Sequence, residues 1–352
     1  INRRHGTSVI AQIPATSIYL LAVSPGQTED EEAAELEGDL EVSYSDPNFL
    51  LTTPETDQGS VAFLDPSGPV FLRGNSPSRY YTQAAYVRTN AHQAQSISTG
   101  RNVIVAVVDT GISPSHPALS GRISPLGFDF VDNDPDPTEP ATGGPSFGHG
   151  TFIAGIIALL APDSTLLPLR AMDATGRGNA FAITAAIRFA VNSGARVINL
   201  SLGMEDESDA IDDAIDYAVQ NNVVVVVSAG NRNRRQPQFP ANESSVAAIA
   251  AVDDFDVKAN FSNHGSYVSV SAPGVDLYSA FPGDRFAAWS GTSFAAPLVA
   301  GQAALLLSLE PTLRFDAAIR KIQDTSVNID GLNPNFQGQL GRGRIDIRAS
   351  LN

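Results

Sequence analysis

The sequence predicts an α/β fold, a mostly parallel, doubly wound sheet with helices on both faces, preceded by a small α+β unit. From Tyr80 onward, short unbroken apolar runs alternate with longer amphipathic segments. A run of four to eight apolar residues is a strand buried on both faces, and strand–helix alternation covers a parallel sheet on both sides. The first of these runs, Val103–Val108, ends in Asp109-Thr110-Gly111. This places a carboxylate at the carboxyl end of a central strand, where open α/β sheets keep their ligand and catalytic groups.

The elements follow in order. Ser8–Ile13 and Ser17–Ser24 read as short strands, Thr28–Leu36 as an acidic helix with Thr28 as N-cap, and Leu40–Tyr44 as a strand before Asp46-Pro47-Asn48. Residues 1–50 are thus expected to form a β-β-α-β unit. Residues 51–79 are rich in Pro, Gly, Ser and Asp and read as a linker or an added hairpin, with Val61–Leu64 and Val70–Leu72 as its strands. In residues 80–352 the strand-like runs are Val103–Val108, Thr165–Leu169, Val197–Leu200, Val223–Val227 and Val246–Ala250. Between and after them, Phe181–Asn192, Asp206–Gln220 and Phe294–Leu309 have helical character. The sequence contains no internal repeat.

Composition narrows the function. The chain has 352 residues, 43% of them hydrophobic, which is enough for a large packed core. Its 38 acidic and 22 basic residues give a formal charge of −16, which argues against nucleic acid or an anionic membrane as partner. There is no cysteine, so disulfides, cysteine–zinc sites and thiol chemistry are excluded. No apolar run reads as a membrane span. The chain opens at Ile1 with neither methionine nor signal peptide, and a chain trimmed of a leader is the expectation.

Three segments carry chemistry. Gly291-Thr292-Ser293 opens a helical stretch, so the Ser293 hydroxyl is expected among unpaired N–H groups at the positive end of a helix. That is a favourable place for a nucleophile and equally a plain N-cap. Gly148-His149-Gly150-Thr151 holds a histidine between two glycines at another helix start, where glycines let a second chain approach the imidazole. With Asp109, these are an acid, a base and a hydroxyl, the parts of an acyl-transfer triad.

Asp109-Thr110-Gly111, Gly148-His149-Gly150-Thr151 and Gly291-Thr292-Ser293 resemble the three signature motifs of the subtilisin-like serine proteases. They occur in that family's order of Asp, His and Ser, unlike the chymotrypsin and α/β-hydrolase orders. Flanking segments match as well, among them Val197–Gly203, Ser228–Asn231, Ser271–Gly274 and Gly341–Asp346, so that the resemblance spans roughly residues 80 to 352. It implies a serine endopeptidase that is secreted or held in the cell envelope and acts on peptide or protein substrates. The competing reading is a catalytically silent or permanently self-inhibited relative.

The resemblance also assigns sites. Asn231 matches the asparagine whose amide stabilises the oxyanion. Gly176, Arg177 and Gly178, together with Ser201, Leu202 and Gly203, match the two edges between which a substrate strand lies; Ala229 and Gly230 wall the pocket for the residue before the cut. Gln238 stands where the family often has glycine at the floor of that pocket, which would make it shallower or more polar, and Arg177 could favour acidic residues. His116 matches a structural histidine. The chemistry needs no cofactor. A calcium site common in relatives is expected to be absent, because Ala118 replaces an aspartate and Phe152–Leu160 runs straight into Ala161. A different acidic loop, with Asp129, Asp132, Asp134, Asp136 and Thr138, resembles a second calcium loop, and an acidic turn without metal fits it equally well. Phe152 and Leu298 replace histidines common in relatives. Residues 1–50 resemble the latter part of an inhibitor-type propeptide. As such, they are expected to pack on Phe181–Asn192 and Asp206–Gln220 and to send the strand around Asn48–Thr53 toward the cleft as an intramolecular inhibitor.

Overall fold

The computed structural model describes residues 1–55, 62–64, 78–140 and 143–352. Among these, β1 is Ser8–Gln12, β2 Tyr19–Ala22, β3 Leu50–Thr52, β4 Phe63–Leu64, β5 Ile104–Asp109, β6 Phe128–Asp129 and β7 Thr165–Arg170. The rest are β8 Arg177–Asn179, β9 Val197–Leu200, β10 Val224–Ser228, β11 Ala247–Val252, β12 Val270–Pro273, β13 Leu277–Phe281 and β14 Arg285–Trp289. Seven strands form one parallel sheet in the spatial order β12-β11-β10-β9-β5-β7-β6.

Its strands are buried on both faces, as their unbroken Val, Ile, Leu and Ala content requires. Side chains alternate along β5. Val105 and Val107 join the core that holds helices His149–Leu160 and Thr292–Leu309, while Ala106 and Val108 join the core beneath helices Ala180–Asn192 and Asp209–Gln220. The parallel register aligns the carboxyl ends: Val108 pairs with Leu200, so Asp109 lies beside Ser201-Leu202-Gly203, and β10 runs on into Ala229-Gly230-Asn231.

Helix Thr292–Leu309 is 18 residues long, and its mean hydropathy of 1.5 makes it long and apolar enough to cross a membrane by length and composition. The apolar runs read along the sequence gave no such span. In the fold 89% of this segment is buried, packed against the sheet and the His149 helix. Pro297 lies inside it and has no N–H to offer the carbonyl of Ser293 four residues earlier. That carbonyl accepts from Ser201 Oγ at 2.9 Å, so a side chain at the end of β9 completes the first turn of the serine helix.

The N-terminal region differs in part from expectation. β1 and β2 pair antiparallel, and Glu29–Glu37 is a helix closed by a capping box between Thr28 and Glu31. Leu40–Tyr44 is not a strand; it is turn and irregular chain with Leu40 fully exposed, folded back on Asp39, whose carbonyl accepts from the Val42 N–H and whose Oδ1 accepts from the Glu41 N–H. The next strand is β3, which pairs with β8 on one side and bridges through Thr52 to Gly203 on the other. Residues 51–55 are therefore ordered against these two edges instead of forming a linker. Of the two strands expected in a hairpin, Phe63–Leu64 pairs with β14, and Val70–Leu72 lies outside the described residues.

Leu305 is fully buried in the middle of the serine helix, so Leu305→Ala should lower unfolding stability by about 2–5 kcal/mol, read from denaturant midpoints.

Candidate active site

Asp109 is the last residue of β5, His149 the first residue of its helix and Ser293 the second residue of its helix. All three are fully buried. Asp109 Oδ1 accepts from His149 Nδ1 at 2.8 Å and from the Thr110 N–H at 2.8 Å. The close approach depends on Gly150, since a Cβ there would fall 2.1 Å from the Gly111 carbonyl and 3.2 Å from Asp109 Oδ1. The imidazole is walled by Trp289 and Phe294, at 5.6 and 5.3 Å between ring centroids. Phe152 packs on the same two rings, so the residue that replaces a histidine here extends an aromatic cluster.

The hydroxyl of Ser293 donates to Glu55 Oε2 at 2.7 Å, and the same oxygen lies 3.1 Å from His149 Nε2. The other oxygen, Oε1, accepts from Asn231 Nδ2 at 2.8 Å. One buried carboxylate thus meets the serine hydroxyl, the imidazole and the asparagine amide together. Asn231 is held in turn, its Oδ1 accepting from both the N–H and the hydroxyl of Thr292 at 2.9 Å. Burial by itself would push the His149 imidazole down. Asp109 first and Glu55 second outweigh it and carry the group up to about 10.

Glu55 is delivered by β3. Leu51 and Thr52 pair with Gly178 and Arg177, Thr52 and Gly203 exchange both backbone hydrogen bonds at 3.0 Å, and the Thr53 N–H donates to Gly176 O at 2.9 Å. Gly176, Arg177, Gly178, Ser201, Leu202 and Gly203 therefore form two edges flanking one strand. Arg177 is exposed to solvent. Gln238 is buried between Leu202 and Ser228, donating to both carbonyls at 3.4 Å, and a Cβ on Gly203 would fall 2.2 Å from its Nε2. The amide fills the space beside Ala229 and Gly230. His116 stands apart, with one ring nitrogen 2.8 Å from Arg285 O and the other accepting from Ala118 N; burial pushes it down.

Glu139 is a second carboxylate that sequence reasoning missed. It is buried in the loop before the His149 helix, and burial, opposed by its hydroxyl partners and assisted by Asp109, pushes it up to about 7. Neither Glu55 nor Glu139 lies in a periodic or glycine-flanked pattern. The one usable signal was a lone acid directly after Leu50-Leu51-Thr52-Thr53-Pro54, an apolar and β-branched run.

The acidic loop has its oxygens engaged elsewhere. Asp129 Oδ1 accepts from the N–H groups of Val131 and Asp132, and Asp129 and Asp132 both accept from the Arg170 guanidinium through their other oxygens. Asp134 and Asp136 bond to backbone N–H groups within the loop, and Asp136 also accepts from the Thr138 hydroxyl. Among the described residues no three His, Cys, Asp or Glu side chains gather to hold an ion. This arrangement does not fit a metal, because Arg170 already supplies the positive charge.

The model of the subtilase family matches residues 100–343. The chain belongs to the subtilases. A thermophilic serine proteinase of Bacillus sp. (strain AK1) is 38% identical over 309 residues, 84% of this chain and 70% of that protein. Thermitase of Thermoactinomyces vulgaris is 39% identical over 241 residues, 65% of this chain and 84% of its own. Among solved structures, a protease from Pseudoalteromonas arctica superposes with a TM-score of 0.70 at 28% identity, covering 78% of this chain and 97% of that one. Fervidolysin from Fervidobacterium pennivorans shares the fold over 99% of this chain and 58% of its own, with a TM-score of 0.79 at 24% identity. This subtilase is a serine endopeptidase.

Arg170→Gln should lower stability by about 3 kcal/mol by leaving Asp129 buried and unpaired, measured in urea with a chelator present. Full recovery of the loss with millimolar calcium would transfer the role to an ion.

Proposed function

We propose that this endopeptidase acts through Ser293, His149, Asp109 and Asn231, and that residues 50–55 hold its cleft closed. Ser293 Oγ attacks the scissile carbonyl carbon while His149 Nε2 takes the hydroxyl proton. Asp109 keeps the other ring nitrogen protonated and stabilises the imidazolium. The carbonyl oxygen, now negative, faces the Asn231 amide and the backbone N–H of Ser293 at the helix start. His149 then gives its proton to the leaving amine, and water releases the acyl group from Ser293. A peptide binds as an extended strand between residues 176–178 and 201–203, so affinity comes from main-chain hydrogen bonds and little from sequence. Gln238 favours small side chains before the cut. The enzyme works outside the cytoplasm or in the cell envelope.

The observation that carries self-inhibition is the Glu55 carboxylate, which accepts from Ser293 and Asn231 and lies against His149. Closure of this kind is chemical as well as steric. A base carried up to about 10 is already protonated at neutral pH and cannot take the serine proton. The sign follows from linkage: a group raised on closing favours the closed state while it is charged, and that contribution is lost as pH rises through about 10. Anchors upstream position the strand. Asp46 Oδ2 accepts from Ser208 Oγ and the Ala210 N–H at the start of helix Asp209–Gln220, and Asn48 Oδ1 accepts from the Phe181 N–H at the start of helix Ala180–Asn192. Acceptor oxygens at both helix N-termini suit the helix dipoles. Tethering gives the strand an effective concentration of about millimolar or more, so modest contacts suffice.

A serine-directed phosphonate should label the full chain slowly and Glu55→Ala at least about tenfold faster, followed by intact mass, because removing the carboxylate frees nucleophile and base together. Ser293→Ala, added to the Glu55→Ala chain, should abolish labelling and lower turnover by on the order of 10⁶, the loss known for subtilisin itself. Equal labelling of the parent and Glu55→Ala would remove the inhibitory role; labelling retained in Ser293→Ala would remove the nucleophile.

A further inference from the structure

Glu139 lies where the chain leaving Asp109 meets the helix that begins with His149. The Glu139 N–H donates to Ile112 O at 3.2 Å and the Ile112 N–H donates to Pro137 O at 3.1 Å, which lays the loop alongside the residues that follow Asp109. Its side chain then inserts between strand end and helix start. Oε1 accepts from Thr110 Oγ1 at 2.6 Å and from the Gly148 N–H at 2.7 Å. Oε2 accepts from the Thr151 N–H at 3.0 Å and from Thr151 Oγ1 at 2.5 Å.

The two hydroxyls pass the contact on. Thr110 Oγ1 accepts from the Gly150 N–H at 3.0 Å, and Thr151 Oγ1 accepts from the Ser113 N–H at 2.9 Å. Through these bonds the carboxylate grips the backbone N–H groups of Gly148, Gly150 and Thr151, which bracket His149, and the residue immediately after Asp109. With four donors on two oxygens, the acceptor capacity is used symmetrically and the side chain is fully engaged. Only 5% of the residue is exposed, so water does not compete.

We propose that Glu139 is a positioning residue for the Asp109–His149 pair, a buried four-acceptor clamp that fixes the His149 helix start against the end of β5. It acts through the backbone and does not touch substrate. The proposal rests on the protease reading only in that it assigns the clamped pair its role. Glutamine is the discriminating substitution, because it keeps the size but turns one acceptor oxygen into an NH₂ group. Since each oxygen faces a backbone N–H, either Gly148 or Thr151 must then confront a donor, and the pair loses its alignment by fractions of an ångström.

The test uses the full chain with its site opened by Glu55→Ala as the parent, to which Glu139→Gln is added, with Thr151→Val as a second added variant that removes one clamp partner and leaves Glu139 in place. Turnover per phosphonate-titrated site should fall about 10–100-fold in Glu139→Gln while KM for a small peptide substrate stays within about twofold. Thr151→Val should fall in the same direction by less. Independently of turnover, the low-field proton resonance of the His149 Nδ1–H bond to Asp109 should be sharp in the parent and broadened or lost in Glu139→Gln. A kcat within about twofold of the parent, or a loss confined to thermal stability with the resonance unchanged, overturns the proposal. If Glu139→Gln fails to fold, Thr151→Val decides by the same two readouts. A Glu55→Ala parent that shows the resonance but no turnover counts against the protease reading and leaves the clamp to be judged by the resonance alone.

Discussion

The structure turns on one imidazole held without water between two carboxylates. His149 gives one ring nitrogen to Asp109 and meets Glu55 with the other, and the ring is closed in by Trp289 and Phe294. Burying a charged imidazole is costly unless both sides are paired. The fold meets that requirement with a strand end set by the parallel register of the sheet, a helix start, and an arriving segment held by antiparallel pairing to β8 and Gly203. Removing Glu55 leaves the ring with one partner and an open face toward Ser293, which is the geometry a general base needs.

Other charges near the site are handled in different ways. Glu139 has no cation against it and is satisfied by four hydrogen-bond donors at the junction of the Asp109 strand and the His149 helix. Asp129 is paired with Arg170, a residue at the end of β7, so the acidic loop is tied to the sheet by a guanidinium. At the serine helix the awkward group is a carbonyl, that of Ser293, released by Pro297 and taken up by Ser201. In each case a backbone or side-chain acceptor close to the chemistry is fixed by a partner from another element, which keeps the site rigid in the sense that catalysis requires.

Much of this was legible in the sequence where the signal is local. The apolar runs mark β5, β7, β9, β10 and β11 to within a few residues, because a doubly buried strand has no polar alternative. Asp109, His149 and Ser293 are readable because each sits at an element boundary with glycine close by. Thr28 and Glu31 announce their helix by the capping box. What was not legible depends on pairing between distant segments. Leu40–Tyr44 has the apolar content of a strand but is folded into a turn on Asp39, while Leu50–Thr52 is a strand only because β8 and Gly203 flank it. Glu55 and Glu139 have no local signature; their meaning comes from partners 94 and 9 residues away in the chain, at His149 and Gly148. In the acidic loop, carboxylate spacing does not reveal a guanidinium from another strand.

The most direct measurement is the titration of His149 in the full chain, followed by nitrogen and proton NMR of the imidazole. With Glu55 seated, the ring should remain an imidazolium through neutral pH and lose its proton only near pH 10, with both ring N–H groups protected from exchange. A ring that titrates at or below about pH 7 in the intact chain, the ordinary range of a histidine, would contradict the account, because the carboxylate of Glu55 would then not be holding the base.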